Sequence, residues 1–402
     1  MEDEFKTTLQ LNGVDIDIGT LYSIPGRKEM ISFEYSEDFL SSPDFINIDP
    51  LLSKARGRQY PPADKNNFGF IEDVSPDRWG RNLLKKKIGR APSNIEATIL
   101  TSDSMRLGGI RIWDSNGEPL SKDPSIPTLK NIRELQNLAR KAEEFDTDIQ
   151  ELYGPGSSLG GARPKAGIMD AGKLKIAKFP KKDDVINIEA WESVMLKLCE
   201  DCEGITTVPH RIINNKELSR HATLILDRFD RNNNGDRIPY MSAMTALGYS
   251  DGTDDGSYLE IADFITQYGD VNDAKELWKR MVFSMLTSNF DDHLRNHGFL
   301  LADGKWRLSP VFDVNPAYDK NFHSLSSDGD SYDANIENAI GICGFFYLDE
   351  IAATQWIENT AKLISEKMEK YSKLNGISTS EYDEVTKNML VFSLDDFGLE
   401  PK

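Results

Sequence analysis

Cysteine is scarce in this chain: three residues among 402, too few for a disulfide scaffold. Cys199 and Cys202 form a C-x-x-C, but late in a helical pattern, WESVMLKLCEDCEGI, with acids around them. A redox pair needs a helix N-terminus to lower the thiol pKa, and a structural zinc needs four ligands. The pair therefore reads as coincidence or core packing. Long apolar runs are missing too; none reaches the roughly 18 residues a membrane-spanning helix requires. The acidic start MEDEFKTT has no apolar core of the signal-peptide kind. The expected location is the cytoplasm, with no membrane partner. Positive charge is in deficit, 47 Lys and Arg against 66 Asp and Glu, for a net charge of −19. That balance argues against a broad basic surface for nucleic acid, and KARGR and LLKKKIGR read as solvated basic faces. No internal repeat is present.

What the chain does have is the composition of a soluble globular protein, 39% hydrophobic and 28% charged, at a length that suits two or three domains. Residues 6–35 alternate in short runs, with Asn12-Gly13 and Pro25-Gly26 as turn signals, and predict a small antiparallel sheet. SPDRWGRNLLKKKIG predicts a helix with Ser75 as N-cap and Pro76 at its first position. LGGIRIWD reads as a returning strand. Residues 115–128 hold three prolines and little apolar content, which marks a domain boundary. A helix over LKNIRELQNLARKAEEF follows, and then two strands joined by a turn at DAGK. INIEAWESVMLKLCED is helical by period, and ATLILDRFDR is an apolar strand ending in a polar cluster. Helices dominate from about 255. Ile357, Ala361, Ile364, Met368 and Tyr371 share one face, and Asn375-Gly376 stops that helix.

Three segments carry chemistry. GPGSSLGGARPK is neither a Walker A loop nor a Rossmann fingerprint. It runs strand–loop–strand, as does the lid that protein kinases fold over ATP; a plain structural turn explains it equally well. Lys178, in the strand KLKIAKFP, shares a face with Ile176 and opposes Phe179. It is either an exposed strand residue or a charge held for phosphates, with Glu192 or Glu189 of the next helix as partner. SNFDDHLRNHGFL, residues 288–300, crowds polar groups between apolar segments. A phosphotransferase needs a carboxylate to accept the substrate proton and an asparagine five residues on for magnesium. Asp291 and Asn296 have that spacing; Asp292 does not. Asp313, after a β-like segment in WRLSPVFDVNP, supplies a second hard oxygen ligand of the sort magnesium prefers. A rival reading makes His293 and His297, four apart, the ligands of a metal-dependent hydrolase. A third leaves His297 as a hydrogen-bonded core histidine, with His293 orienting the loop.

SSLGGARPKA, IAKFP, DRFDR, NFDDHLRNHGF and SPVFDVNP occur in the order seen in the HipA family, which this chain resembles over roughly residues 150–320. Those proteins are serine/threonine kinases acting as toxins of type II toxin–antitoxin systems. The resemblance implies an α+β, two-lobed kinase-like fold related to the phosphoinositide kinases. Its expected parts are a β-rich N-terminal subdomain over 1–125, an ATP-binding lobe over 126–240 and an all-helical catalytic lobe over 241–402. It implies ATP and Mg2+ as cofactors, with Asp291 as base and Asn296 and Asp313 on the metal. Lys178 would meet the nucleotide phosphates beneath a loop containing Ser158, Gly160, Gly161 and Ala162. Asp227 and Phe229 would border adenine and Asp230 the ribose, although relatives commonly carry glutamate where Asp227 stands. Autophosphorylation is implied at Ser158, with Ser157 adjacent; a dianion inside a loop meant for phosphates repels them. The implied partners are a helix-turn-helix antitoxin, operator DNA mainly through that antitoxin, and a translation-related protein substrate such as an aminoacyl-tRNA synthetase. A catalytically silent binding module on the same fold is the alternative from another class.

Overall fold

A computed structural model describes residues 2–24, 26, 29–121, 126–144, 163–214, 219–250, 256–317 and 319–393. The chain is of the α+β class, and its contacts group into two units. One comprises Met1–Asp183 with Ile225–Ser250, and the other Asp184–Leu224 with Asp251–Lys402. Neither division falls at residue 125 or 240.

The first unit opens with strands β1 (Asp3–Leu11), β2 (Val14–Ile24) and β3 (Met30–Tyr35), joined by β4 (Ile110–Trp113) in the antiparallel order β3-β2-β1-β4. Asn12 and Gly13 both take positive φ, 49° and 81°, as a two-residue hairpin requires for its twist to match the strands. The sheet's inner face buries Leu9, Ile18, Leu21 and Phe33 against Phe39, Phe68 and Ile71. Helix α1 spans Arg78–Ile88, and its N-cap is Asp77, whose carboxylate accepts from Gly80 N at 2.7 Å. Ser75, the cap expected from the sequence, instead closes the preceding helix Gly69–Val74. Asp77 and the run to Ile88 place three lysines in the last turn of α1, where the helix dipole favours cations. The KARGR run is likewise a solvated face, with Arg58 paired to Glu2 and stacked 3.5 Å from the Tyr22 ring. After α2 (Ile132–Glu144) come β5 (Lys165–Asp170) and β6 (Lys173–Lys178), paired antiparallel through a turn in which Ala171 and Gly172 have φ of 49° and 77°. Ile225–Asp227 of β8 (Thr223–Asp227) and β9 (Tyr240–Ser242) lie in this unit.

The second unit holds β7 (His210–Ile213) and the helices α3 (Ile188–Asp201), α4 (Tyr258–Tyr268), α5 (Val271–Leu286), α6 (Glu350–Leu374) and α7 (Thr379–Thr386). Trp278 of α5 is fully buried, edge-on to Trp356 of α6 at 5.9 Å. Burying an aromatic of that size contributes about 2–3 kcal/mol. Ile357, Ile364 and Met368 lie on the buried side of α6, and Asn375 and Gly376 end it, Gly376 at φ 79°. The stretch after residue 241 is not all-helical. It also contains the hairpin of β10 (Gly298–Ala302) and β11 (Lys305–Leu308), turned by Asp303 and Gly304 at φ 51° and 73°. Cys199 and Cys202 are buried free thiols, and burial pushes Cys202 up to about 12. They are core residues, as the sequence suggests. Among the described residues no helix is long and apolar enough to cross a membrane.

Candidate functional site

Helix α5 is capped at its C-terminus by Thr287, and Ser288 turns the chain with φ of 56°. The loop that follows sorts its polar groups by face. Asp292 is 4% exposed; Tyr258 Oη donates to it, and His297 Nε2 lies 3.1 Å from its carboxylate. Burial alone would raise the Asp292 carboxyl. The His297 imidazole and the two hydrogen bonds outweigh it and hold the group below the usual carboxylate range. Its neighbour Asp291 points outward, with 63% of its side chain exposed and an ion pair to Lys320. A buried, satisfied acid thus stands beside an exposed one that can meet a substrate.

Asn296 closes a short 3-10 turn, Leu294–Asn296, and is buried. Its Nδ2 donates to the Asp291 carbonyl at 3.3 Å, which turns its amide oxygen away from that bond. Asp313 follows β11 with φ of 60°, a conformation that L-residues adopt only at a cost. The chain just past it is stitched to the same loop: Asn315 N donates to Asn289 Oδ1 at 3.2 Å and Ala317 N to Ser288 O at 2.8 Å. Asp291, Asn296 and the segment carrying Asp313 therefore belong to one bonded assembly within the second unit.

The two histidines do not share a helical face. His293 and His297 flank the turn in extended conformation, φ −141° and −114°. His293 is exposed; within the loop its carbonyl accepts from Asn296 N at 2.8 Å. Among the described residues no group of three or more His, Cys, Asp or Glu side chains is placed to hold a metal ion. His297 is the hydrogen-bonded core histidine of the third reading.

In the first unit, Lys178 ends β6 half-buried, opposite Lys165 of β5 in register. Ala177 and Phe179, on either side of it in the chain, are fully buried. Lys165 is itself buried and ion-paired to Asp77 at 2.9 Å. Asp227 pairs with Lys175 at 2.7 Å, and Phe229 lies 5.9 Å from Tyr240. Asp230 is wholly buried: Arg228 and Arg231 each reach it at 2.6 Å, and Gly108 N donates at 2.8 Å. Burial would raise its carboxyl, but the two guanidiniums hold it far below the usual range. That geometry gives Asp230 a structural part. Ser157, Ser158, Gly160, Gly161 and Ala162 lie outside the described residues. In the second unit Glu189 and Glu192 of α3 are both buried. Sequence spacing missed Asp292 with Tyr258, Lys165 with Asp77, and Lys320; each pair lies too far apart along the chain, or too close to a better match, for any local signal.

The family model for the HipA-like C-terminal domain matches residues 157–369, more than half of the chain. The chain belongs to the HipA-like family. No curated protein matches this HipA-like chain. Among solved structures it is similar to a chain described as "Shewanella oneidensis MR-1 Toxin Antitoxin System HipA, HipB and its operator DNA complex", with a TM-score of 0.71 at 18% identity, covering 96% of this chain and 95% of that one. A second similarity is to the Helicobacter pylori proinflammatory kinase CtkA, with a TM-score of 0.38 at 13% identity, covering 60% of this chain and 96% of that one. The first likeness establishes that this HipA-like protein has the fold of that HipA chain.

Proposed function

We propose that this HipA-like chain is an ATP-dependent serine/threonine protein kinase with a growth-arresting role. The observation that carries the reading is the assembly in the second unit. Exposed Asp291 and buried Asn296 sit five residues apart, and the chain beyond Asp313 is hydrogen-bonded to their loop. Asp291 accepts the proton of a substrate hydroxyl, a step worth about 10²–10⁴ in rate when the base is well placed. The oxygen so activated attacks the γ-phosphorus of ATP, and ADP departs.

Asn296 and Asp313 offer an amide oxygen and a carboxylate, hard donors that suit Mg2+ when waters and substrate phosphates complete its shell. The bound ion would neutralise charge on the transferring phosphoryl group. Lys178 serves the nucleotide phosphates, and Asp227 and Phe229 border the adenine. Asp230 has no part in this scheme. Ser158, or Ser157 beside it, is the site of autophosphorylation. The protein partner is a helix-turn-helix antitoxin that makes most of the contact with operator DNA, and the substrate is a translation-related protein such as an aminoacyl-tRNA synthetase. Support for the partners comes from the HipA, HipB and operator DNA complex whose HipA this fold resembles.

Phosphopeptide mapping after incubation with Mg2+ and ATP tests the proposal. Wild type should carry phosphate on Ser157 or Ser158, and Asp313→Ala should carry none. A wild type that carries no phosphate would leave a silent binding module as the better reading.

A further inference from the structure

Lys320 has no place in the scheme above, yet its ammonium meets the carboxylate on which that scheme depends. The backbone on either side of Lys320 is tied down next to Asp291. Ala317 N donates to Ser288 O at 2.8 Å, and Lys320 N donates back to Ala317 O at 3.1 Å. On the far side Ser324 N and Oγ donate to Phe290 O at 2.9 and 3.1 Å. The His323 ring stands edge-on to Phe290 at 4.8 Å. The residues that receive these bonds, Ser288 and Phe290, lie three positions and one position before Asp291. An exposed ion pair usually contributes little, because two long side chains must be ordered to form it. Here the irregular segment bearing the lysine is already fixed to the loop bearing the acid.

We infer that Lys320 is a positioning residue for Asp291, an inference that rests on the kinase reading. It binds Oδ1 and fixes the plane of the carboxylate, leaving Oδ2 to accept the proton. An exposed aspartate without that clamp samples several staggered rotamers. A general base must lie within hydrogen-bond reach of the proton it takes. In the step itself the hydroxyl proton passes to Asp291 Oδ2, and the hydroxyl oxygen bonds to the γ-phosphorus. The bond from that phosphorus to the β,γ-bridging oxygen breaks, and ADP leaves with the electron pair. Lys320 keeps its protons throughout.

Full-length wild type, Asp291→Ala, Lys320→Met and Lys320→Arg are compared for incorporation of label from γ-labelled ATP with Mg2+, as a function of ATP concentration. Lys320→Met should lower the maximal rate about 10- to 100-fold, the scale of a roughly 1 Å misplacement. Its half-saturating ATP should stay within about twofold of wild type, since positioning acts on the step and not on nucleotide binding. Lys320→Arg should recover most of the rate. Melting temperatures of all four should agree, since the pair is exposed. A Lys320→Met enzyme as fast as wild type, or faster, overturns the inference, the latter because the pair would then be a brake. So does a parallel change in half-saturating ATP, or no rescue by arginine. An inactive wild type removes the kinase reading and this inference together; an active wild type with an indifferent Lys320→Met removes the inference alone.

Discussion

His323 is 6% exposed, its ring packed against Phe290, and neither ring nitrogen has a hydrogen-bond partner among the described residues. Burial pushes its pKa down to about 4, against a weaker upward pull from Asp292 and Asp333. The folded state therefore holds the neutral imidazole, while the unfolded chain protonates near 6.5. Stability from this residue is fully present above about pH 6.5 and is lost as pH falls towards 4, by up to about 3 kcal/mol. Urea denaturation of wild type and His323→Phe at pH 7 and pH 4.5 checks this: wild type should lose more stability on acidification than the variant. Equal losses would contradict it. At the same scale, the five-residue spacing favours Asp291 over Asp292, and of the two acids Asp291 is the exposed one. The buried partner of Asp292 could not be read in the same way. Tyr258 stands 34 positions upstream, in a helix whose period shows only that it faces inward.

Among the elements, the hairpins were the most legible, because a positive-φ pair needs residues that tolerate it. Asn12-Gly13 and the DAGK turn stand out in the sequence, and both take that conformation. Asp303-Gly304 has the same signature, but its flanking strands merged into an apolar run that masked a hairpin inside a helical region. The N-cap of α1 lies two residues beyond the expected Ser75. Ser75 and Asp77 both suit an N-cap, and only the preceding helix, which ends on Ser75, decides between them. Packing between segments leads to a further prediction. A β-carbon on Gly256 would stand 2.6 Å from Leu294 Cδ1, in the turn that carries Asn296. Gly256→Ala should cost about 1–3 kcal/mol of stability through overpacking. By shifting that turn it should also slow phosphoryl transfer about 10-fold or more. Gly344→Ala, where a β-carbon meets nothing within 4 Å, is the control and should leave both unchanged. A Gly256→Ala enzyme with wild-type rate and melting temperature would show that the turn adapts freely.

For the molecule as a whole, the two units interleave along the chain, Asp184–Leu224 leaving the first and Ile225–Ser250 returning to it. The proline-rich stretch at 115–128 marks a cut along the chain, whereas an interleaved division of this kind leaves no local mark in the sequence. With a net charge of −19, the isolated protein should show no saturable binding to duplex DNA below about 10 μM at physiological salt, since such binding draws on Lys and Arg neutralising phosphates. Fluorescence anisotropy of a labelled duplex tests this, and tight binding by the chain alone would contradict an antitoxin-borne contact. The central claim is that Asp291, Asn296 and Asp313 together transfer a phosphoryl group. It is tested most directly by the rate of γ-phosphate incorporation in Mg2+ and ATP for wild type beside Asp291→Ala, Asn296→Ala and Asp313→Ala, with melting curves for each. Wild type should incorporate label and each folded variant should fall by about 10² or more; equal incorporation by all four, or none by wild type, would contradict it.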